Sequence, residues 1–271
     1  MAAASLDDFE ILAPAGRGAF SVVYRARERR SGTLLALKVL TAAAGSDAGQ
    51  PDEVLAAASL QHPNIVRTLA SGVDGGRRWI ALEWVPGHDL GRYVGPRLQL
   101  PEPMAVEIAA ALADALGHAH RQGIVHRDLK PANVRVHLPQ RLVKLGDFGI
   151  ASLHEGTATA TGMLRGTPAY MAPDVLQGAR ATAASDLYAL GVVLFELLAA
   201  RRPHRADSLG QLLASVARAP PVLLSELRPD LPPALLDLVA SLLQPDPAER
   251  ARHTAHLAER LHEIAAHWPR C

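Results

Sequence analysis

Two patterns of apolar residues divide the chain. Up to about residue 85, short apolar runs recur between glycine-rich breaks, and those at 9–15, 21–26, 34–40, 67–71 and 79–84 predict strands. One helix is predicted among them at about 51–60, where Pro51 suits a first-turn position because no amide hydrogen is needed there. The alanine- and glycine-rich stretch 41–50 predicts a loop. After Pro86-Gly87 the spacing lengthens. Residues 101–121 carry Val106, Ala109, Leu112, Ala113 and Leu116 at helical spacing, and further helices are predicted at 185–200, 208–216, 232–243 and 254–267. Two short strands, 134–138 and 142–145, precede a segment from 147 to 174 with little regular pattern. Such a segment counts against an assignment unless it is functional. The expectation is an α+β fold of two lobes. A small antiparallel sheet with one helix occupies about 9–84, a larger helical lobe about 88–268, with a joint at about 83–87 and a tail at 1–8.

Composition narrows the class. A chain of 271 residues buries roughly three quarters of its unfolded surface, enough for a substantial core. With 49% hydrophobic residues and a net charge of +1, it reads as globular, without the basic footprint of a nucleic-acid binder. The single cysteine, Cys271, excludes an intrachain disulfide, and residues 1–10 lack the regions of a signal peptide. The greasy stretch 188–200 is too short for a bilayer and contains Glu196. No membrane span and a cytoplasmic location are therefore expected. Of the 28 lysines and arginines only Lys38, Lys130 and Lys144 are lysine, so each invites a reason.

Four motifs carry candidate chemistry. Gly16-Arg17-Gly18-Ala19-Phe20-Ser21-Val22-Val23 lies between two predicted strands, where glycines let backbone amides approach phosphate oxygens. Taken alone it also fits a plain glycine-rich hairpin; a dinucleotide fingerprint is excluded because a strand follows, not a helix. Leu35-Ala36-Leu37-Lys38 places a compact cation on the third strand, with Glu53 of the next helix as the carboxylate to orient it. His126-Arg127-Asp128-Leu129-Lys130-Pro131-Ala132-Asn133 combines a carboxylate able to take a hydroxyl proton, an ammonium able to neutralise a migrating phosphoryl group, and an amide oxygen suited to Mg²⁺. Asp147-Phe148-Gly149 then supplies a second metal-binding oxygen before a flexible glycine.

On these motifs the chain, from about 9 to 268, resembles a eukaryotic-type (Hanks-type) protein kinase, particularly the bacterial Ser/Thr branch. The resemblance implies the two-lobed protein-kinase-like fold, with ATP and Mg²⁺ (or Mn²⁺) bound between the lobes. It implies that Gly16, Gly18 and Ser21 cover the phosphates while Lys38, paired with Glu53, contacts them. Asp128 becomes the catalytic base, with Lys130 beside it, and Asn133 and Asp147 the metal ligands. Val23 and Ala36 would roof the adenine, Leu82 would be the gatekeeper, and the backbone of Glu83 and Val85 would bond the adenine edge. Lys130, two residues after the base, resembles Ser/Thr kinases more than tyrosine kinases. Gly166-Thr167-Pro168-Ala169-Tyr170-Met171-Ala172-Pro173-Asp174 looks like a substrate-docking segment, Asp186 would brace the catalytic loop, and Arg250 would pair with Asp174.

Three positions depart from the family's pattern. Ser21 replaces a third glycine, leaving the loop amides available, and Asp174 replaces a glutamate. Arg135 stands where an apolar side chain normally lies beneath the adenine; either it hinders the nucleotide, or its stem packs while the guanidinium reaches water or stacks on the base. Accommodation is the expectation. The threonines Thr157, Thr159 and Thr161 resemble autophosphorylation sites, with Arg127 as the partner of the added phosphate. The implied partners are proteins bearing Ser or Thr and, transiently, a second copy of the chain for phosphorylation in trans. A pseudokinase scaffold and a small-molecule kinase with the same core fold are the alternative readings.

Overall fold

The computed structural model describes residues 5–18, 21–43, 58–148, 168–204, 206, 208–218, 220–252 and 256–268. Five strands form one antiparallel sheet: β1 (Phe9–Arg17), β2 (Ser21–Glu28), β3 (Leu34–Ala43), β4 (Thr68–Asp74) and β5 (Arg77–Glu83), in the order β1-β2-β3-β5-β4. Side chains alternate across a strand, so each contributes to two faces. Phe9, Ala26, Leu35, Leu37, Trp79 and Ala81 make one buried cluster. The register sets Val23 opposite Lys38 and Ala36 opposite Leu82, which puts these residues on the other face. Gly72 lies across from Trp79, and a Cβ there would fall 2.6 Å from the indole, so the tryptophan demands glycine. The residues expected as a tail are partly built in. Ser5 caps a 3₁₀ turn, Leu6–Asp8, and its hydroxyl and the Leu6 amide donate to the Asp74 carboxylate at 2.8 and 3.0 Å. Those bonds hold the Asp74 carboxyl below its usual pKa.

After β5 come three two-residue strands, β6 (His88–Asp89), β7 (Val94–Gly95) and β8 (Leu98–Gln99). Helix α1 (Glu102–Arg121) follows, then β9 (Val134–His137) and β10 (Leu142–Leu145), which join β6 in a second sheet of order β10-β9-β6. Among the described residues the remaining α-helices are α2 (Pro173–Leu176), α3 (Ala183–Ala199), α4 (Leu209–Arg218), α5 (Leu224–Leu227), α6 (Pro233–Leu242), α7 (Pro247–Arg252) and α8 (Leu257–Ala266), and most of the helix expected at about 51–60 lies outside them. Helix α3 is apolar nearly all round and buried along its length, as a core helix must be. It starts at a capping box between Thr182 and Ser185 that satisfies otherwise orphaned amides. Against it and α1 pack Leu129, Val134, Val136, Leu145 and Phe148, so the chemistry-bearing loops rest directly on the larger core. Among the described residues, no helix is long and apolar enough to cross a membrane.

Candidate active site

The loop before β9 is held by a single buried carboxylate. Asp186, 2% exposed near the start of α3, accepts the His126 and Arg127 amides at 2.8 and 2.9 Å and lies 2.8 Å from His120 Nε2. The bracing role expected of Asp186 is thus present. Arg127 sits at φ +69° and Asp147 at φ +64°, a left-handed conformation that costs a non-glycine residue on the order of 1–3 kcal/mol. The buried carboxylate holds the first. His126 connects the two: its Nε2 lies 2.8 Å from the Gly146 carbonyl and its Nδ1 accepts the Asp128 amide at 3.2 Å. A carbonyl only accepts, so the proton is on Nε2. The same ring meets Phe148 edge-on at 4.6 Å.

Around this frame the polar groups converge. Lys130 Nζ lies 2.7 Å from Asp128 Oδ2, and Asn133 Nδ2 donates to Asp128 O at 2.8 Å and Oδ2 at 3.1 Å. With its amide nitrogen so engaged, Asn133 presents only its oxygen to a ligand. The Gly146 amide donates to Asn133 O at 2.9 Å, tying that residue to the segment that carries Asp147. Lys38, 6% exposed, reaches from β3 to Asp147 Oδ1 at 2.7 Å, joining the two lobes. Glu53 lies outside the described residues, as do Thr157, Thr159 and Thr161. Two oxygen donors of this kind, a carboxylate and an amide, suit Mg²⁺, which takes one or two protein ligands and completes its shell with phosphates and water.

The rest of the cleft is partly as expected. Val23, Ala36 and Leu82 share the sheet face of Lys38. A Cβ at Gly16 would meet no atom, so packing does not demand that glycine. The Gly18 amide, expected to be available, donates instead to the Ser21 carbonyl at 2.8 Å. The Glu83 amide likewise goes to Arg67 O at 2.9 Å. Arg135 is part-buried and turns back on the joint between the lobes: its Nη2 donates to the carbonyls of Val85, at 3.3 Å, and Gly87.

Lys144 was singled out by scarcity but given no role. Its Nζ bonds Glu83 Oε1 at 2.6 Å and Ile65 O at 3.2 Å, fastening the end of β5 to β10 three residues before Asp147. Behind the loop, Tyr170 donates to Glu196 Oε2 at 2.6 Å, with Arg202 3.6 Å from the other oxygen. Burial raises the Glu196 pKa against both partners, and burial with this hydrogen bond raises that of Tyr170 too. A carboxyl whose folded pKa is raised stabilises fully below its unfolded value and loses that contribution as pH climbs through the folded one. Glu196→Gln is therefore expected to shift the thermal midpoint, relative to wild type, more favourably at pH 8 than at pH 4; melting curves at both check it.

The site has counterparts. The protein kinase domain family matches residues 9–262. The chain is 36% identical to "Serine/threonine-protein kinase pkn3" of Myxococcus xanthus, over 89% of this chain and 47% of that protein. It is 36% identical to "Probable serine/threonine-protein kinase PknB" of Lactococcus lactis, over 86% and 38%. With "Serine/threonine-protein kinase PknF" of Mycobacterium tuberculosis it shares 34%, over 93% and 55%. The chain thus spans about half the length of these relatives or less. With the catalytic-loop motif, the Lys38–Asp147 pair and the braced Asp186 all inside the matched region, the chain belongs to the protein kinase domain family.

Proposed function

We propose that the chain transfers the γ-phosphoryl group of ATP to serine and threonine hydroxyls of proteins, from a catalytic unit running over about 9–268. The observation that carries this is the convergence of Asp128, Lys130 and Asn133 within one hydrogen-bonded cluster, facing the Lys38–Asp147 pair. Asp128 takes the proton as the substrate O–H bond breaks and the new O–P bond forms, and ADP departs. Lys130 offsets the negative charge of the moving group, and Lys38 holds the α- and β-phosphates. Asn133 Oδ1 and the Asp147 carboxylate would hold Mg²⁺ or Mn²⁺, whose charge screens the phosphate oxygens from the incoming hydroxyl. Gly16 leaves room beside the phosphates, Val23 and Ala36 cover the base, Leu82 closes its back, and Glu83 and Val85 bond its edge.

The segment that ends at Asp174 resembles a substrate-docking element, which supports a polypeptide acceptor over a small molecule. The reading places the reaction where ATP is abundant, in the cytoplasm. Radiolabelled ATP with the purified chain and a generic basic protein tests it: label on serine or threonine is expected, and none on the protein would end the reading. The same incubation addresses regulation. Phosphate is expected on Thr157, Thr159 or Thr161, placed there by a transiently paired second copy and bound by Arg127. Phosphopeptide mapping that finds these threonines unmodified in an active enzyme would remove the autophosphorylation proposal.

A further inference from the structure

Arg135 is the cleft residue whose chemistry the phosphotransfer reading does not use. Strand register sets it opposite Asp89 on β6 and Lys144 on β10, and from there its Nη2 reaches the Val85 and Gly87 carbonyls. These acceptors cannot drift away. Gly87 has φ +90°, and a Cβ on it would lie 2.0 Å from the Val136 carbonyl, so this backbone is pressed against the strand that carries Arg135. Among the described residues, the Val85 amide finds no acceptor. At Val85, therefore, the joint between the lobes offers a base a free donor beside a carbonyl that already accepts one bond from a cation.

We infer that Arg135 sets base specificity by excluding purines that carry an amino group at C2. This rests on the nucleotide reading above. In extended backbone the N–H and C=O of one residue point the same way. A purine whose N1 accepts the Val85 N–H therefore turns its neighbouring C2 position toward the Val85 oxygen. Adenine has only a carbon-bound hydrogen there and asks nothing of that oxygen. A 2-amino group is a donor and meets a carbonyl already bound by a cationic donor. It must either share that oxygen beside a positive guanidinium, whose charge repels the amino hydrogens, or displace Arg135 Nη2, which then keeps only its bond to Gly87. Guanine fails twice, because its N1–H also opposes the Val85 N–H.

The test compares ATP with 2-aminoadenosine 5′-triphosphate as phosphoryl donors to a basic protein, for wild type and Arg135→Leu. In wild type kcat/KM should favour ATP by about tenfold, the order of one lost hydrogen bond. In Arg135→Leu that preference should collapse or reverse, since the freed carbonyl can take the third bond. The ratio is the readout, so a partly unfolded variant does not obscure it. Equal ratios in the two proteins overturn the inference while leaving phosphotransfer intact. Should neither nucleotide be turned over, the phosphotransfer reading fails, and competitive binding of the two nucleotides still gives the ratio on which this inference stands or falls.

Discussion

Asp128→Asn is expected to lower kcat by about 10²–10⁴-fold, the range of a positioned general base, while KM for ATP changes little. The asparagine keeps the volume and one acceptor oxygen, so the bonds that order the loop through Asp186 and His126 survive. What is lost is the anion that can receive a proton, together with the counter-charge of Lys130 at 2.7 Å. On the proposed reading the nucleotide would be held by other groups, Lys38, Asp147 and the roof, so the loss should fall on kcat. Steady-state kinetics, with a melting curve to show that the variant is folded, decide the matter. A folded variant retaining half the wild-type kcat would remove Asp128 from the base role.

The sequence made the sheet legible because alternation on strands buried on one face is a strong signal. All five strands of the first lobe are foreseen; β1, β2, β3 and β4 run two or three residues further than expected, to Arg17, Glu28, Ala43 and Asp74, and β5 begins two residues earlier. The long helices were also visible, since α1 and α3 carry several turns of one pattern. Helices α2, α5 and α7, of four to six residues, are too short to show a period and were missed. The docking of residues 5–8 has a local signature in the sequence, since Ser5 and Asp8 form a capping box.

The polar site divides in the same way. Asp128, Lys130 and Asn133 lie within six residues, so their convergence follows from one loop. Asp186 was foreseen through the family resemblance, and the structure supplies its physical reason: two adjacent amides and a histidine ring converge on one buried carboxylate. Contacts set by tertiary placement alone stayed hidden. Periodicity does not reveal that Lys144 meets Glu83 across 61 residues, or that Arg135 bends back to carbonyls about 50 residues earlier. The closure of Gly18 on Ser21 was missed for a related reason, because spacing marks where glycines stand but not which amides they spend.

The second large effect concerns stability. Arg250→Met is expected to destabilise the chain by about 3–5 kcal/mol, the cost of stranding one partner of a buried ion pair. Arg250 is fully buried, and its Nη2 meets Asp174 Oδ1 at 2.5 Å. Its other nitrogens donate to the carbonyls of Ala184, Gln244 and Pro245 at 3.0, 2.7 and 2.8 Å, and its plane lies 5.5 Å from the Tyr188 ring. Burial there pushes the Tyr188 hydroxyl up to about 12. One guanidinium thus joins α2 at Asp174, the first turn of α3 and the approach to α7. Methionine fills the stem's volume but leaves the carbonyls and the Asp174 carboxylate unsatisfied. For a domain of this size the thermal midpoint should fall on the order of 10 °C. Asp174→Asn removes charge but keeps an acceptor for Nη2, so it should cost less. The shorter acid at 174 is no defect, because the aspartate already reaches the arginine. Melting curves of both variants, in which Arg250→Met proved as stable as wild type, would show that this buried cation does not hold α2 to the core.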